Sequence, residues 1–249
     1  MRLKSRLADS LIGETAAQIY LSVQYNLVSE MVPVAIAGAN AAFPARNSSH
    51  ANRIKKLERA EKPTIEHIFR HMMPDDTVWD IGADFGFYTC LCSDQLESGT
   101  VVAFEPYRPR VARLRLNLQH NDVACVIKKM ALGACDGSLD GYRAFFNRSS
   151  PRIVAGDTLV ESDEVQPPDV LKIDVDGGEW HVLDGLRNTL QDHVQSVYIE
   201  IHPKYLAQYE KSASDVWQLL SDLGFELSRI HDRPGEDNNV YYLFGKNNN

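Results

Sequence analysis

The sequence lacks the patterns that mark several common classes of protein. Its 249 residues include four cysteines, and these form no C-x-x-C pair and have no histidines at zinc-site spacing. We therefore expect no zinc site, and reduced cysteines in the core at Cys90, Cys92, Cys125 and Cys135. Basic residues number 26 against 34 acidic ones, for a net charge of −8. Such a surface repels a phosphate backbone, so nucleic acid is not an expected partner.

Long apolar runs are also scarce. After Arg2, Lys4 and Arg6, a signal peptide would need an uninterrupted apolar stretch, but polar residues such as Glu14 and Gln18 break it. The same interruptions argue against a membrane-spanning helix of about 20 residues. We therefore expect neither a secretion signal nor a membrane span, and a cytoplasmic protein.

The N-terminal part of the chain differs in pattern from the rest. Residues 3–31 carry apolar positions at helical spacing, which predicts one or two amphipathic helices that pack on the core or join two subunits into a homo-oligomer. Residues 34–43 are apolar and predict a strand that Pro44 closes. A polar connector, 47–62, follows. We therefore divide the chain into an N-terminal helical extension with its connector, 1–62, and a main domain, 63–249.

In the main domain, strand-like and helix-like segments alternate, which predicts a mostly parallel sheet with helices on both faces. Pro63 suits the first position of a helix that reaches about His71. The turn-forming residues 232–239 predict that the last strand runs antiparallel to its neighbour. Strands are expected at 77–82, 100–105, 123–130, 141–146, 169–174, 196–201, 225–231 and 239–244, and further helices at 86–95, 108–120, 179–190 and 213–223.

The most informative segment is D-I-G-A-D-F-G-F-Y-T at residues 80–89, between a predicted strand and a predicted helix. Gly82 and Gly86 allow a tight turn against which a ligand can lie on bare backbone. Neither the dinucleotide pattern G-x-G-x-x-G nor the P-loop pattern fits this segment, which argues against a nicotinamide oxidoreductase. Because Asp80 and Asp84 would repel phosphates, a cationic ligand suits the loop, and S-adenosylmethionine meets that description.

A second acid follows the next predicted strand. Glu105 ends T-V-V-A-F-E and precedes Pro106. An acid at the carboxyl end of this strand is placed to accept both ribose hydroxyls of an adenosine. We therefore predict that Glu105 binds the cofactor's ribose.

A third polar group follows the buried strand at 169–174. Asp174, Asp176 and Glu179 concentrate negative charge at the same sheet edge, which favours a cationic or protic ligand there. Asp174, Glu179, Glu200 and His202 are the candidates for a catalytic base. We expect no metal at this site, although ligation by Asp174, Asp176 and His202 stays open as an alternative. Lys172 is expected to pair with the acids.

Six segments together resemble the FkbM family of methyltransferases over about residues 60–245. The segments, in chain order, are D-I-G-A-D-F-G-F-Y-T, A-F-E-P, N-L-Q-H-N, A-L-G, L-K-I-D-V-D-G-G-E and Y-I-E-I-H-P. The resemblance implies a Rossmann-like class I methyltransferase fold with a seven-stranded sheet, and S-adenosylmethionine as the cofactor. Two departures stand out: Asp84 replaces the common Asn, and D-G-G at 176–178 replaces the usual E-G-A.

The resemblance also implies roles for particular residues. Asp80, Gly82 and Asp84 correspond to the loop beside the methionine part of the cofactor, and Asp174 to the acid that faces the methyl group. We add Gly86 to this cofactor set, and Glu179 and His202 to Asp174 as catalytic residues. Asn117 and Asn121 are expected to brace their helix rather than to touch a ligand.

Members of this family methylate hydroxyl oxygens on sugars and natural products, so the resemblance implies an O-methyltransferase. The expected partner is therefore a small-molecule or glycan hydroxyl acceptor. A catalytically degenerate methyltransferase fold that acts as a binding protein is the alternative, because a fold alone does not establish an activity.

Overall fold

The described part of the protein starts with a β-hairpin. The structure is a computed structural model that describes residues 30–138, 151–233 and 239–247. Strands β1 (Glu30–Ile36) and β2 (Ala39–Ala45) pair antiparallel. Ala37 and Gly38 between them have φ angles of 49° and 98°, as a two-residue hairpin turn requires. The single strand predicted over 34–43 is therefore wrong, because the chain reverses in its middle and Pro44 lies within β2.

A 24-residue helix, α1 (Ser48–His71), follows the hairpin. The side chain of Asn47 caps it by accepting a hydrogen bond from the His50 backbone N–H at 3.0 Å. Pro63 lies inside the helix and removes one backbone hydrogen bond. The helix continues past it because one face buries Thr64, Ile65 and Ile68.

Two predictions for this region are corrected by α1. The polar connector 47–62 is helical, and the helix does not begin at Pro63. The domain boundary after residue 62 stays a prediction, although α1 crosses that position without a break. The helices predicted over 3–31 lie almost wholly outside the described residues, as does any subunit contact through them.

A seven-stranded sheet forms the centre of the molecule, in the order β11-β12-β10-β9-β3-β4-β5. Strand β12 pairs antiparallel with β10 and β11, and the other neighbours are parallel. This confirms the predicted mostly parallel sheet with an antiparallel last strand. The remaining short strands form a separate sheet, β6-β8-β7. In chain order the strands after the hairpin are β3 (Thr77–Ile81), β4 (Thr100–Phe104), β5 (Val126–Lys128), β6 (Ala131–Leu132), β7 (Gly137–Ser138), β8 (Arg152–Val154), β9 (Val170–Ile173), β10 (Ser196–Ile201), β11 (Phe225–Asp232) and β12 (Tyr241–Asn247).

Helices cover both faces of the large sheet, as predicted. Because side chains alternate along a strand, Val78 and Trp79 of β3 face opposite cores. The hairpin and helices α1 to α3 pack with Val78, and helices α5, α6 and α8 pack with Trp79. Each large side chain buried in this way contributes about 1.5–3 kcal/mol. The helices after α1 are α2 (Phe87–Gln95), α3 (Arg108–Asn121), α4 (Gly156–Glu161), α5 (Glu179–Asp184), α6 (Arg187–Asp192), α7 (Pro203–Leu206), which continues into a 3₁₀ turn at Ala207–Tyr209, and α8 (Ala213–Asp222).

Some element boundaries differ from the predictions. The helix expected over 179–190 is broken into α5 and α6, because the Asp157 carboxylate accepts hydrogen bonds from the backbone N–H groups of Asn188 and Thr189 at 3.0 and 2.9 Å and so caps a new helix there. The strand expected over 123–130 shortens to β5. The strand predicted at 141–146 lies outside the described residues.

The parallel strands β3, β4, β9 and β10 place their carboxyl ends at one edge of the sheet. The loops that follow these four strands therefore meet in one crevice, which is where open α/β sheets bind ligands. Among the helices that the structure describes, none combines the length and the apolar character that a bilayer crossing requires.

Candidate active site

The loop after β3 is held against two neighbouring strand tips. The backbone N–H groups of Gly82 and Ala83 donate to the Phe104 carbonyl at 3.0 and 3.1 Å. A Cβ atom on Gly82 would lie 1.9 Å from the Asp174 carbonyl oxygen, so only glycine lets β3 and β9 approach this closely. Gly82, Asp84 and Gly86 all have positive φ, at 85°, 45° and 89°. The loop is therefore sharply turned, as predicted, and the missing Cβ atoms of Gly82 and Gly86 make room for Asp174 and Leu114 of the protein itself.

Glu105 joins this loop to the tip of β4. Its Oε2 accepts a hydrogen bond from the Asp84 backbone N–H at 3.0 Å, and its Oε1 accepts one from the Tyr107 N–H at 2.8 Å. Burial raises the pKa of Glu105 to about 7, against the opposing effects of the Tyr107 hydrogen bond and the charge of Arg110. The carboxyl group is thus held rigidly between the two strand tips where the predicted ribose would bind.

Arg110, on α3, lies over the same part of the crevice. Its Nε is 3.3 Å from Asp84 Oδ1, and its Nη1 is 3.8 Å from Glu105 Oε2. The guanidinium carbon also lies 5.3 Å from the centre of the Tyr107 ring. Arg110 was not predicted as a site residue, since one arginine at the start of a helix carries no distinctive sequence signal.

Asp80 lies beneath the loop and is almost completely buried. Its Oδ2 accepts a hydrogen bond from the Thr89 hydroxyl at 2.6 Å, and its Oδ1 lies 3.4 Å from Lys172 Nζ, an ion pair rather than a hydrogen bond. The same Nζ lies 3.6 Å from Asp174 Oδ2. Burial alone would lower the pKa of Lys172, but the charges of Asp80 and Asp174 outweigh it and raise that pKa. The predicted pairing of Lys172 with the acids is confirmed.

The catalytic candidates converge at the tips of β9 and β10. His202 is only 4% exposed, and its Nδ1 lies 2.7 Å from Glu179 Oε1. Its Nε2 faces Glu200 Oε1 at 3.7 Å and Asp176 Oδ1 at 3.9 Å. One ligating atom from each of Asp174, Glu200 and His202 lies within 4.8 Å of the other two. The predicted residues Asp174, Glu179 and His202 are therefore brought together, and Glu200 joins them.

The charges around this group affect its protonation. Burial lowers the pKa of His202, but the hydrogen bond to Glu179 and the nearby charge of Asp174 outweigh burial, so the pKa is raised overall. Burial, followed by the charge of Asp174, raises the pKa of Asp176. Both shifts have the direction expected where carboxylates crowd together.

A buried network holds Glu200 from behind. Its Oε2 accepts a hydrogen bond from the Tyr242 hydroxyl at 2.9 Å, and its Oε1 is paired with Arg233. Arg233 also lies 3.2 Å from Glu61 Oε1, and the Tyr88 hydroxyl donates to Glu61 Oε2. The Tyr242 hydroxyl lies close to Glu61 Oε2 as well, so its single proton is shared between the two carboxylates. Glu61, Tyr88, Arg233 and Tyr242 were not predicted. Helical spacing to the buried Ile65 and Ile68 could have revealed Glu61, had the helix been continued through Pro63.

Two asparagines of α3, predicted to brace their own helix, also hold neighbouring segments: Asn121 donates to the Asn117 carbonyl within the helix at 2.8 Å, and both contact other elements. The Asn117 side-chain amide donates to the Phe85 carbonyl at 2.6 Å and so holds the glycine loop. Asn121 makes two hydrogen bonds with the backbone of Ala42 in β2, at 2.6 and 3.1 Å. These contacts are structural and involve the loop and the hairpin.

Three tyrosines lie around the mouth of the crevice. The Tyr205 ring stacks on His202 with 5.8 Å between ring centres, and Tyr209 is 38% exposed. Burial, followed by the charges of Glu179 and Asp176, raises the pKa of Tyr209. Burial also raises the pKa of Tyr107, against the charge of Arg110 and with the charge of Glu105. The mouth is therefore aromatic, whereas its floor is acidic.

The parallel sheet, the glycine loop at one strand tip and the acid at the next define a Rossmann-like class I methyltransferase. Residues 80–227 match the family described as the methyltransferase FkbM domain. The chain belongs to this family, whose cofactor is S-adenosylmethionine.

Relatives and solved structures agree with this assignment. The chain is 31% identical over 209 residues to the hexuronic acid methyltransferase AglP of Haloferax volcanii, covering 79% of this chain and 83% of the relative. It is similar in fold to methyltransferase FkbM from Methylobacillus flagellatus, with a TM-score of 0.51 and 15% identity over 69% of this chain and 44% of that protein. The magnesium protoporphyrin IX methyltransferase of Synechocystis, solved with bound S-adenosylmethionine, gives a TM-score of 0.52 at 13% identity over 78% and 82%.

Proposed function

We propose that this protein transfers the methyl group of S-adenosylmethionine to an oxygen atom of a sugar, and that hexuronic acids are the acceptor class to test first. The observation that carries the proposal is the crevice in which the glycine loop, Glu105 and the Asp174 group meet at one sheet edge. The relationship to a hexuronic acid methyltransferase at 31% identity supports the choice of acceptor.

On this proposal, the cofactor lies across the tips of β3 and β4. Glu105 accepts the ribose hydroxyls, for which each of its oxygens keeps a second lone pair beside its backbone hydrogen bond. Gly82, Asp84 and Gly86 let the methionine part approach the backbone, and Asp174 faces the sulfonium. Asp80 acts from below by fixing Thr89 and Lys172.

Methyl transfer requires the protein mainly to align the acceptor oxygen, the methyl carbon and the sulfur atom. The C–S bond of the sulfonium breaks as a C–O bond forms to the acceptor, and S-adenosylhomocysteine leaves. A hydroxyl acceptor must also lose its proton. His202, whose ring is fixed by Glu179 at 2.7 Å, offers a nitrogen that can receive that proton.

The aromatic mouth supports a sugar acceptor. Tyr205 and Tyr209 are 37% and 38% exposed, although large aromatic side chains are usually covered. Rings in this position offer flat apolar faces to the C–H face of a pyranose, and the acids beneath them can accept its hydroxyl groups. The same arrangement would suit a glycan end or a free sugar acid.

The test combines cofactor binding with turnover. We expect S-adenosylhomocysteine to bind the full chain with one site in calorimetry, and methyl groups from labelled S-adenosylmethionine to appear on a glucuronate-terminated oligosaccharide. The corresponding glucose-terminated oligosaccharide is the matched acceptor control, because it has the same ring without the carboxylate.

Three outcomes are informative. No binding of S-adenosylhomocysteine by the folded protein would overturn the proposal. Equal transfer to both oligosaccharides would support a sugar methyltransferase but not a preference for sugar acids. Cofactor binding without transfer to any acceptor would favour the alternative, a catalytically inactive binding protein.

A further inference from the structure

We propose that Asp174, Glu200 and His202 bind a divalent transition-metal ion at the acceptor side of the site. One ligating atom from each residue lies within 4.8 Å of the other two. Metal–ligand bonds of about 2.0–2.2 Å place neighbouring ligands of one ion about 3.0–3.5 Å apart. Side-chain rotations that bring the three atoms closer by up to about 1–2 Å would therefore place all of them on a single ion.

The His202 ring is prepared for such a ligand role. Glu179 engages Nδ1 at 2.7 Å, which fixes the ring and turns Nε2 toward Glu200 and Asp176. The residue is 4% exposed, yet the carboxylate oxygens nearest to Nε2 lie at 3.7 and 3.9 Å, beyond hydrogen-bond distance. Nε2 therefore faces two acids at ion-pair distance without a hydrogen bond to either, and an ion between those groups would occupy that gap.

Each proposed ligand also has an outer partner, as metal ligands in proteins usually do. His202 has Glu179, and Asp174 has Lys172 at 3.6 Å. Glu200 is held by the Tyr242 hydroxyl at 2.9 Å and by Arg233. Because a carboxylate oxygen has two lone pairs, the oxygen that accepts from Arg233 can still bind an ion.

The local charge favours a cation. Two permanent cations, Lys172 and Arg233, pair with the connected group of carboxylates. That group has six members: Glu61, Asp80, Asp174, Asp176, Glu179 and Glu200. Buried charges of one sign are costly unless they are paired or bind a metal. A divalent ion would remove much of the excess at the point where the acids converge.

Two carboxylates and one imidazole suit an ion such as Mn²⁺, which accepts both oxygen and nitrogen ligands. The structure thereby assigns Glu200, rather than the Asp176 considered from sequence, as the third ligand. The catalytic consequence rests on the proposed function. An acceptor hydroxyl bound to the ion would have a lowered pKa and release its proton to solvent before its oxygen attacks the methyl carbon, so that His202 would act as a ligand in place of its proposed role as the base.

The test measures Mn²⁺ binding directly, without turnover. Full-length protein is stripped with EDTA, desalted and titrated with Mn²⁺, and free Mn²⁺ is followed by electron paramagnetic resonance. We expect one Mn²⁺ per chain. Asp174→Asn should lower the affinity at least tenfold, and Glu179→Gln, which disturbs an outer partner, about 10–100-fold.

Asp176→Asn is the matched control, because it removes one charge from the same loop but none of the three proposed ligands. Its Mn²⁺ affinity should stay within a few-fold of the native value. Equal losses in Asp174→Asn and Asp176→Asn would show simple charge attraction, and no bound Mn²⁺ in the native protein would show no site. Either result overturns the proposal, provided that circular dichroism confirms folded variants.

The same samples separate this proposal from the proposed function. If the stripped protein binds S-adenosylhomocysteine but not Mn²⁺, the metal site is wrong and the methyltransferase assignment is unaffected. If folded protein does not bind S-adenosylhomocysteine, the proposed function fails, whatever the Mn²⁺ titration gives.

Discussion

Glu105 is an acid whose protonation state matters to the site near neutral pH. Its pKa, raised by burial from 4.5 to about 7, is higher in the folded than in the unfolded chain. The folded protein therefore holds an extra proton between these values, and the contribution of Glu105 to the free energy of unfolding decreases as pH rises from 4.5 to 7. A cofactor ribose that donates two hydrogen bonds to Glu105 would favour the charged form of its carboxyl group.

We predict that S-adenosylhomocysteine binds the native protein more weakly as pH falls through about 7. Glu105→Gln should bind it about 10–100-fold more weakly at pH 8, because a charged hydrogen-bond acceptor is lost. The variant should also lose that part of the pH dependence. Calorimetry from pH 6 to 8 (about one unit either side of the pKa) checks both effects, with the exposed Glu97→Gln as control. An unchanged pH profile in Glu105→Gln would contradict the assignment.

Gly82 supplies a second prediction at the residue scale. In Gly82→Ala, the new Cβ would stand 1.9 Å from the Asp174 carbonyl oxygen, at a φ of 85°. The backbone strain alone costs about 1–3 kcal/mol, and the clash adds to it. We expect a lower melting temperature and loss of S-adenosylhomocysteine binding.

Gly137→Ala is the matched control, since a Cβ at Gly137 has nothing within 4 Å. Equal melting temperatures for the two alanine variants would contradict the close approach of the loop after β3 to the end of β9.

At this scale, the residues predicted from sequence were those whose signal is local. Gly82, Asp84 and Glu105 stand at the ends of apolar strands, where a short pattern identifies them. Glu200, two residues before His202, was a candidate from the same local segment, but its closeness to Asp174 depends on the pairing of β9 with β10, which no local pattern encodes. Arg233 is placed by contacts with residues far away in the chain, so its sequence context carried no information about the site.

At the scale of elements, Asn121 links the hairpin to α3, because its side-chain amide pairs with the hairpin backbone as a neighbouring strand would. Asn121 both accepts from and donates to the backbone of Ala42. The hairpin is also held by α1 and α2, whose side chains Glu58 and Asp94 accept hydrogen bonds from the backbone N–H groups of Ala35 and Asn40 at 3.2 and 2.8 Å. Apolar packing adds to these contacts, as where Phe43 stacks on Phe87 at 5.3 Å. Asn121 therefore fixes the register of β2 against α3.

We predict that Asn121→Ala lowers the free energy of unfolding by about 1–2 kcal/mol, because two partly buried backbone groups of Ala42 lose their partner. Urea titration measures the change. Asn52→Ala, at an exposed position of α1, is the control and should shift stability by less than about 0.5 kcal/mol. Equal shifts in the two variants would mean that the hairpin does not depend on Asn121.

Element types were predicted well where periodicity was strong, as in β3, β4, β9 and β10. The errors arose where tertiary contacts overrode a local signal. Pro63 normally starts a helix, but apolar burial carries α1 past it. The break between α5 and α6 depends on Asp157, which lies 31 residues before Asn188. The sequence of residues 179–190 therefore carries no signal for the break.

Across the whole molecule, the Glu61 network joins α1, α2, β10 and β12 into one buried unit. Removing one member of a buried ion pair leaves the other charge uncompensated. For Glu61→Gln we predict a loss of about 2–3 kcal/mol in the free energy of unfolding, because Arg233 keeps Glu200 and is partly exposed.

Glu66→Gln is the control for this change. Its pairing with Lys62 at 3.6 Å is on the surface, where both side chains are at least 40% exposed, and such pairs contribute about 0–1 kcal/mol. Thermal and urea unfolding of both variants measure the difference. Similar losses for Glu61→Gln and Glu66→Gln would contradict a structural role for the network.

The family match spans residues 80–227, yet Glu61 precedes it, and Arg233 and Tyr242 follow it. A protein shortened to those limits would keep Glu200 but lose Arg233 and Tyr242, the side chains that pair with it and hydrogen-bond to it. Exchanging residues 80–227 between relatives would face the same difficulty, because the residues that support the floor of the crevice come from both sides of that segment.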